Sequence, residues 1–337
     1  MSDSGQDILT PAEVDALLAP LEAAPSALLA VSGGPDSTAL LLMAAEWAAR
    51  RGTARIAAAT VDHGLRPESA AEAASVAQLC ERLGVPHRTL VWAGSKPSSR
   101  VQERAREARY RLLAEHARII GAGTIVTAHH ADDQAETVLF RLMRGSGVAG
   151  LGGMARMSER GGLAIARPLL GVAKSALIAF AHARGAAFVE DPSNADPRYA
   201  RPRLRTLIAG LAAEGLDPEG LARLARRAAE ADEALERMTD EVEARLGANG
   251  PIDAGALFAA PVAIVQRILV RRIAAAGGRD PSRIGLEKIE ALALRLREAS
   301  IRGRALGANV GGAIARLSRE GRLSFAPEPA RRKRRKL

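Results

Sequence analysis

Up to about residue 205, short apolar runs alternate with longer stretches whose apolar positions recur at helical spacing. Residues 27–31, 55–61, 87–91, 124–127 and 187–190 are the short runs, and each is a predicted strand. Between and around them, residues 11–21, 38–50, 68–83, 101–120 and 174–184 carry the helical period, as does the stretch ending at Arg144. Strands alternating with helices predict an α/β fold, a doubly wound parallel sheet with helices on both faces. Ligands of such sheets sit beyond the C-terminal ends of the strands. The polar clusters fall there, after Val31, Val61 and Thr127.

From about Thr206 the rhythm changes. Residues 221–246 read as one long Ala/Glu/Arg helix, opened by Asp217 as cap and Pro218 at the first helical position. Residues 261–276 and 286–298 are two further helices, and the short alternating runs within 304–326 predict a small hairpin. The expected organisation is an α/β domain over residues 1–205, a helical domain over 206–300, a hairpin over 301–327 and a disordered basic tail over 328–337. Five glycines within residues 145–153 predict a mobile loop or lid.

Composition adds a modest bias. The 337 residues are 47% hydrophobic but only 3% aromatic, so Ala, Leu, Ile and Val must build the core. Net charge is +10, six of it in residues 331–336, which leaves about +4 for the rest. That balance suits a nucleic-acid partner, and the tail suits salt-sensitive phosphate contact. The single cysteine, Cys80, excludes a disulfide framework or Cys-rich metal site and fits a reducing compartment. The start is polar and no apolar run reaches a membrane span, so a cytoplasmic protein without a membrane partner is expected.

The sharpest chemical signal is Ser32-Gly33-Gly34-Pro35-Asp36-Ser37, set between a predicted strand and a helix. Glycines let backbone N–H groups face an anion, and the helix N-terminus adds partial positive charge. The Lys-Ser/Thr of a Walker loop is missing, and the spacing is not the dinucleotide GxGxxG. What remains is a loop whose Ser32 and Ser37 hydroxyls meet phosphates while Asp36 helps to hold Mg²⁺.

Further candidates lie at two other strand ends. Asp133 and Glu136, three apart at a helix start, share a face and can hold a metal or an ammonium group. His129 and His130 precede them, but no third ligand stands at a zinc spacing. Asp62 and His63 follow the second strand. Arg104, Arg106, Arg109 and Arg111 line the helix before the fourth strand, from which one or two can reach a triphosphate.

The hexamer resembles the PP-loop of the ATP pyrophosphatases, which split ATP between the α and β phosphates. The wider series makes the chain similar to one family among them, the tRNA(Ile)-lysidine synthetases. Its pieces are Ser32 to Ser37, Val61 to Arg66, Ala108-Arg109-Tyr110, His129 to Thr137, Arg167 to Leu170 and Glu190 to Asn194. They occur in the family's order over about residues 25–205.

The resemblance implies a carbon–nitrogen ligase that uses ATP and Mg²⁺ to join L-lysine to the wobble cytidine of a CAU-anticodon isoleucine tRNA. ATP would adenylate the cytosine 2-carbonyl oxygen, and the lysine ε-amine would displace AMP. By motif position, Ser32, Gly33, Gly34, Pro35, Asp36, Ser37, Asp62 and His63 would bind ATP, with Asp36 on the metal. Arg109 would contact ATP or the adenylate, Asp133 and Glu136 would grip lysine, and Asn194, Arg201 and Arg205 would face lysine or tRNA. Pro202 departs from the family's Arg-Asn-x-x-Arg segment and removes an amide side chain there. A homodimer is compatible with the reading. The rivals are a PP-loop tRNA thiolase, a small-molecule amidating ligase and a non-catalytic RNA-binding homologue. The lone cysteine weighs against the first, the basic helical second domain and the lack of a glutaminase part against the second, and intact Asp36, Asp133 and Glu136 against the third.

Overall fold

The computed structural model describes residues 8–24, 26–52, 55–94, 96, 99–189, 200–247 and 250–329. They form two compact units: Gly153–Ala225 joins the chain up to Arg144 in one, and Gly145–Gly152 joins the chain from Arg226 onward in the other.

The first unit is built on six strands: β1 (Ala27–Ala30), β2 (Ile56–Asp62), β3 (His87–Val91), β4 (Thr124–Val126), β5 (Met157–Arg160) and β6 (Leu163–Ala166). Their order is β3-β2-β1-β4-β6-β5, parallel except for the edge strand β5, which runs against β6. Helices α1 (Pro11–Leu18), α2 (Pro35–Arg51), α3 (Ser69–Arg82), α4 (Val101–Ile119) and α5 (Ala131–Leu142) belong to this unit.

Side chains alternate across a strand, so neighbouring apolar residues feed opposite faces. Leu29, Ala58, Val126 and Ala166 pack with Leu40 and Trp47 of α2. Leu28, Ala59, Ile125 and Ile165 pack with Tyr110 and Leu113 of α4. Both faces are covered, as a parallel sheet requires, and the expected doubly wound fold is present. The order reverses direction between β1 and β4, which puts the ligand crevice at their C-terminal ends.

Two local expectations are corrected. Residues 187–189 are not a strand: Val189 N–H donates to Gly33 O at 2.9 Å, beyond the end of β1, so the segment closes over the glycine loop instead of widening the sheet. Residues 145–153 are not all loop, because α6 (Val148–Leu151) forms within them.

After α7 (Lys174–Ala183) comes α8 (Ala200–Ala212). Leu204 and Ile208 of α8 pack on Ala135, Val138 and Leu139 of α5. Pro202 stands in the first turn of α8, where a missing N–H is tolerated. In α9 (Pro218–Leu246), Asp217 Oδ1 accepts from Gly220 N–H at 2.5 Å, the cap foreseen for Asp217-Pro218.

The second unit holds β7 (Ile252–Asp253), α10 (Ala254–Phe258), α11 (Val262–Gly277), α12 (Leu286–Ile301), β8 (Leu306–Val310), β9 (Ala313–Leu317) and β10 (Arg322–Pro327). The predicted hairpin is part of a four-stranded antiparallel sheet, β7-β10-β9-β8. Its inward residues Ala313, Ala315, Leu317 and Leu323 pack on Ile268, Leu269 and Ile273 of α11 and Leu292 and Leu296 of α12.

Candidate active site

The glycine loop continues β1 without a break, since Val31 N–H still donates to Ala59 O at 2.9 Å. Gly33 then takes φ +85°, where a side chain would be strained, and a Cβ there would lie 3.2 Å from Val76 of α3. Ser37 Oγ accepts from Ser32 N–H at 3.1 Å and lies 3.1 Å from Gly34 O, to which it donates. The loop is thus braced across its own mouth. Gly34 caps α2 without a side-chain acceptor. The first N–H groups of a seventeen-residue helix therefore lack that partner, the usual feature of an anion site.

From the end of β4 the chain enters α5, and the two adjacent histidines separate. Thr127 Oγ1 meets His129 Nδ1 at 2.8 Å, and burial, reinforced by nearby arginines, pushes this imidazole down to about 3, so it is neutral. His130 is 2% exposed and surrounded by carboxylates. Its Nε2 lies 3.4 Å from Asp36 Oδ2 and 3.5 Å from Asp133 Oδ2, and its Nδ1 lies 3.5 Å from Asp132 Oδ2. Burial opposes its charge, but the neighbouring carboxylates of Asp132, Asp36 and Asp133 outweigh it, raising the pKa to about 9. Asp132 also accepts from Lys174 N–H at 3.0 Å, which caps α7. Its carboxyl is held below the ordinary value, first by His130.

Asp133 and Glu136 are both buried and share the face of α5 that meets α8. Arg205 Nε donates to Glu136 Oε1 at 2.5 Å. Arg201 approaches more loosely, with Nε 3.8 Å from Glu136 Oε2 and Nη1 3.9 Å from Asp133 Oδ1. Burial lifts the Glu136 carboxyl above its usual range, with Asp133 adding to the effect and Arg205 and Arg201 opposing it.

At the end of β2, Asp62 Oδ1 accepts from Gly64 N–H at 2.8 Å and Ser69 Oγ at 2.6 Å. Those bonds, Ser69 first, hold its carboxyl below the ordinary value. His63 stands edge-on to Trp92, with centroids 6.0 Å apart, and its Nδ1 is buried without a hydrogen-bond partner among the described residues. Burial and the charge of Arg109 keep it neutral-leaning, below the usual value. Arg109 is half-buried, and burial pushes its guanidinium below the ordinary value while Tyr110 and Asp133 pull it back. It makes no ion pair among the described residues, and Tyr110 is its ring neighbour at 5.6 Å.

One crevice therefore gathers Ser32 to Ser37, Asp36, Asp133, Glu136, Arg201 and Arg205 around His130 and α5, with Arg109 close enough for its charge to act on His63. Asn194 and the rest of Glu190 to Asn194 lie outside the described residues. Leu169 and Leu170 of the Arg167 segment are core residues. His130 is the residue that sequence reasoning set aside; its place as the cap of α5, beyond a central strand, is the signal that marks it. Among the described residues no cluster of three or more His, Cys, Asp or Glu side chains is arranged to cage a metal.

A family model described as a PP-loop domain matches residues 9–211. A tRNA(Ile)-lysidine synthase of Rhodopseudomonas palustris is 49% identical to this chain, covering 98% of it and 99% of the relative. One from Bradyrhizobium diazoefficiens is 45% identical, covering 99% and 98%. Among solved structures, the U34-tRNA thiolase NcsA from Methanococcus maripaludis with its [4Fe-4S] cluster superposes with a TM-score of 0.55 at 15% identity, over 65% of this chain and 77% of that one. That likeness shows the fold alone.

Proposed function

Because this chain belongs to the tRNA(Ile)-lysidine synthase family and carries its PP-loop domain, we propose that it joins L-lysine to C2 of the wobble cytidine of a CAU-anticodon isoleucine tRNA. Membership makes it an ATP-dependent tRNA-modifying ligase. The observation that carries the finer reading is the coupling of two sites through His130, whose Nε2 meets both Asp36 of the phosphate loop and Asp133 on the carboxylate face of α5.

The loop and the N-terminus of α2 bind the triphosphate of ATP. Asp36 suits Mg²⁺, because its Oδ1 is buried without a hydrogen-bond partner among the described residues, and Mg²⁺ is commonly held by one carboxylate plus substrate phosphates. Bound there, the ion neutralises charge on the phosphates. The cytidine O2 attacks the α-phosphorus, an O–P bond forms, and pyrophosphate leaves with the electron pair of the broken bond. Arg109, a guanidinium without an ion partner among the described residues, would stabilise the developing negative charge. The unprotonated ε-amine of lysine then bonds to C2. The C2–O bond breaks, AMP departs with its electrons, and the nitrogen loses a proton. Asp133 and Glu136 hold the lysine through its other ammonium group.

The thiolase alternative would need an available thiol. Cys80 is fully buried, and burial pushes it up to about 11. The test is AMP release from ATP with tRNA and lysine supplied separately and together. Release that needs tRNA, with lysine ending on the RNA, supports the reading. Release indifferent to lysine moves the nucleophile elsewhere, and no release favours a binding protein.

A further inference from the structure

Four arginines of the first unit gather round one tyrosine. The guanidinium carbons of Arg160, Arg106 and Arg109 stand 4.4, 5.2 and 5.6 Å from the centre of the Tyr110 ring. Arg167, just past β6, is fixed to the β5 side of the hairpin by Nη1, which donates to Ala155 O and Ser158 Oγ, both at 2.9 Å. Burial pushes its guanidinium below the ordinary value, Tyr110 opposes, and the charge of Arg106 adds to the push. Arg106, Arg167 and Arg109 also act together on the neutral ring of His129, one residue from His130. None of the four makes an ion pair among the described residues, whereas Arg111 of the same helix pairs with Glu115 at 3.0 Å. The Tyr110 hydroxyl and Arg167 Nε are buried without a well-formed hydrogen bond among the described residues, and each can donate one. Massed like charges and unmet buried donors are both costly until an anion meets them.

Resting on the reading that the substrate is a tRNA, we infer that Arg106, Arg160 and Arg167 bind the backbone phosphates that flank the reacting base. The triphosphate has its own seat at the N-terminus of α2, and α4 covers the opposite face of the sheet. Arg109 and Arg167 are half-buried, while Arg106 and Arg160 are exposed. The positive charge therefore runs from beside the crevice out to the surface. A free phosphate would meet only part of such a run. A nucleic-acid strand that delivers one base into the crevice lays successive phosphates along it, and guanidinium forks suit each of them. Tyr110 serves as the platform that keeps the guanidiniums in place.

The experiment measures binding of a CAU-anticodon isoleucine tRNA to the full chain over a range of salt, beside KM values for tRNA and ATP. Arg106→Gln and Arg160→Gln, at exposed positions where folding is undisturbed, should each weaken binding by about 5-fold, the upper end for an exposed ion pair. Each should also flatten the slope of log affinity against log salt by about 0.7, the loss of one single-strand phosphate contact. The KM for ATP should not move. A tRNA with uncharged methylphosphonates on both sides of the wobble nucleotide should bind more weakly to the unaltered protein, and Arg160→Gln should then add nothing. Unchanged slopes in both variants would overturn the inference, and so would fully additive losses with the methylphosphonate tRNA. A rise in the KM for ATP alone would assign the arginines to the nucleotide and overturn it too. Binding is read without turnover, so a protein that binds with these slopes but never modifies the RNA would overturn only the parent reading of the function.

Discussion

His130 Nε2 lies 3.4 Å from Asp36 Oδ2, so a residue from the end of β4 holds the acidic side chain of the phosphate loop. Asp133 meets the same ring nitrogen and Asp132 the other one, Nδ1. Burial alone would discharge this ring, and its charge persists because three carboxylates share it. His130→Asn removes the cation and leaves those carboxylates uncompensated. A loss of about 3 kcal/mol is expected, as when one member of a buried pair is deleted. The variant should also need more ATP, since Asp36 loses its support. Urea unfolding and the KM for ATP measure both effects. A loss under ~1 kcal/mol with an unchanged KM would show that His130 supports neither.

Asp36 and Glu136 serve different steps of the proposed chemistry, so their variants should separate. Asp36→Ala should cut tRNA-dependent pyrophosphate exchange by roughly 100-fold or more, the usual cost of a charge-stabilising group. Glu136→Ala should leave ATP binding in place and raise the lysine KM by roughly 10-fold or more, the scale of a lost charged hydrogen bond. Equal loss of ATP binding in both variants would contradict the division of roles.

The sheet was legible because its strands are apolar on both faces, a pattern few other structures produce. The hairpin of β5 and β6 was not, because β5 is a half-exposed edge strand with Met157, Glu159 and Arg160 turned to solvent. Residues 187–189 are a short apolar run, yet such a run reports burial and not the partner, which here is Gly33. His129 and His130 stand side by side in the sequence, but one rests on Thr127 and the other among carboxylates. Sequence order does not say which way a chain turns on leaving a strand. Likewise Glu136 meets Arg205 across sixty-nine residues, a pairing created only when Leu204 and Ile208 seat α8 on α5.

Gly33 offers a test of the loop itself. Its φ of +85° and the 3.2 Å approach of a built Cβ to Val76 are two separate penalties for Gly33→Ala. The dihedral costs about 1–2 kcal/mol, and the contact adds to it only if Val76 fails to give. Adding Val76→Ala should relieve the contact and leave the dihedral cost, so the double variant should recover only part of the lost ATP affinity. Full recovery would mean that the backbone conformation of Gly33 carries no strain.

Asp62 gives a prediction in pH. Ser69 Oγ is the first cause of its lowered pKa, followed by Gly64 N–H. A carboxyl whose folded pKa lies below its unfolded value adds stability above the unfolded value, near pH 4, and loses it as pH falls through the folded one. Ser69→Ala removes the larger cause, so the pKa of Asp62 should rise toward its ordinary value. The variant should be less stable than the parent protein at pH 6, and the gap should narrow steadily as the pH is taken below about 4. Urea unfolding across this range, with a carbon-13 NMR titration of the Asp62 carboxyl, follows both quantities. A stability gap that stays constant with pH would assign the role of Ser69 to packing at the start of α3, where its hydroxyl also donates to Arg66 O at 2.9 Å.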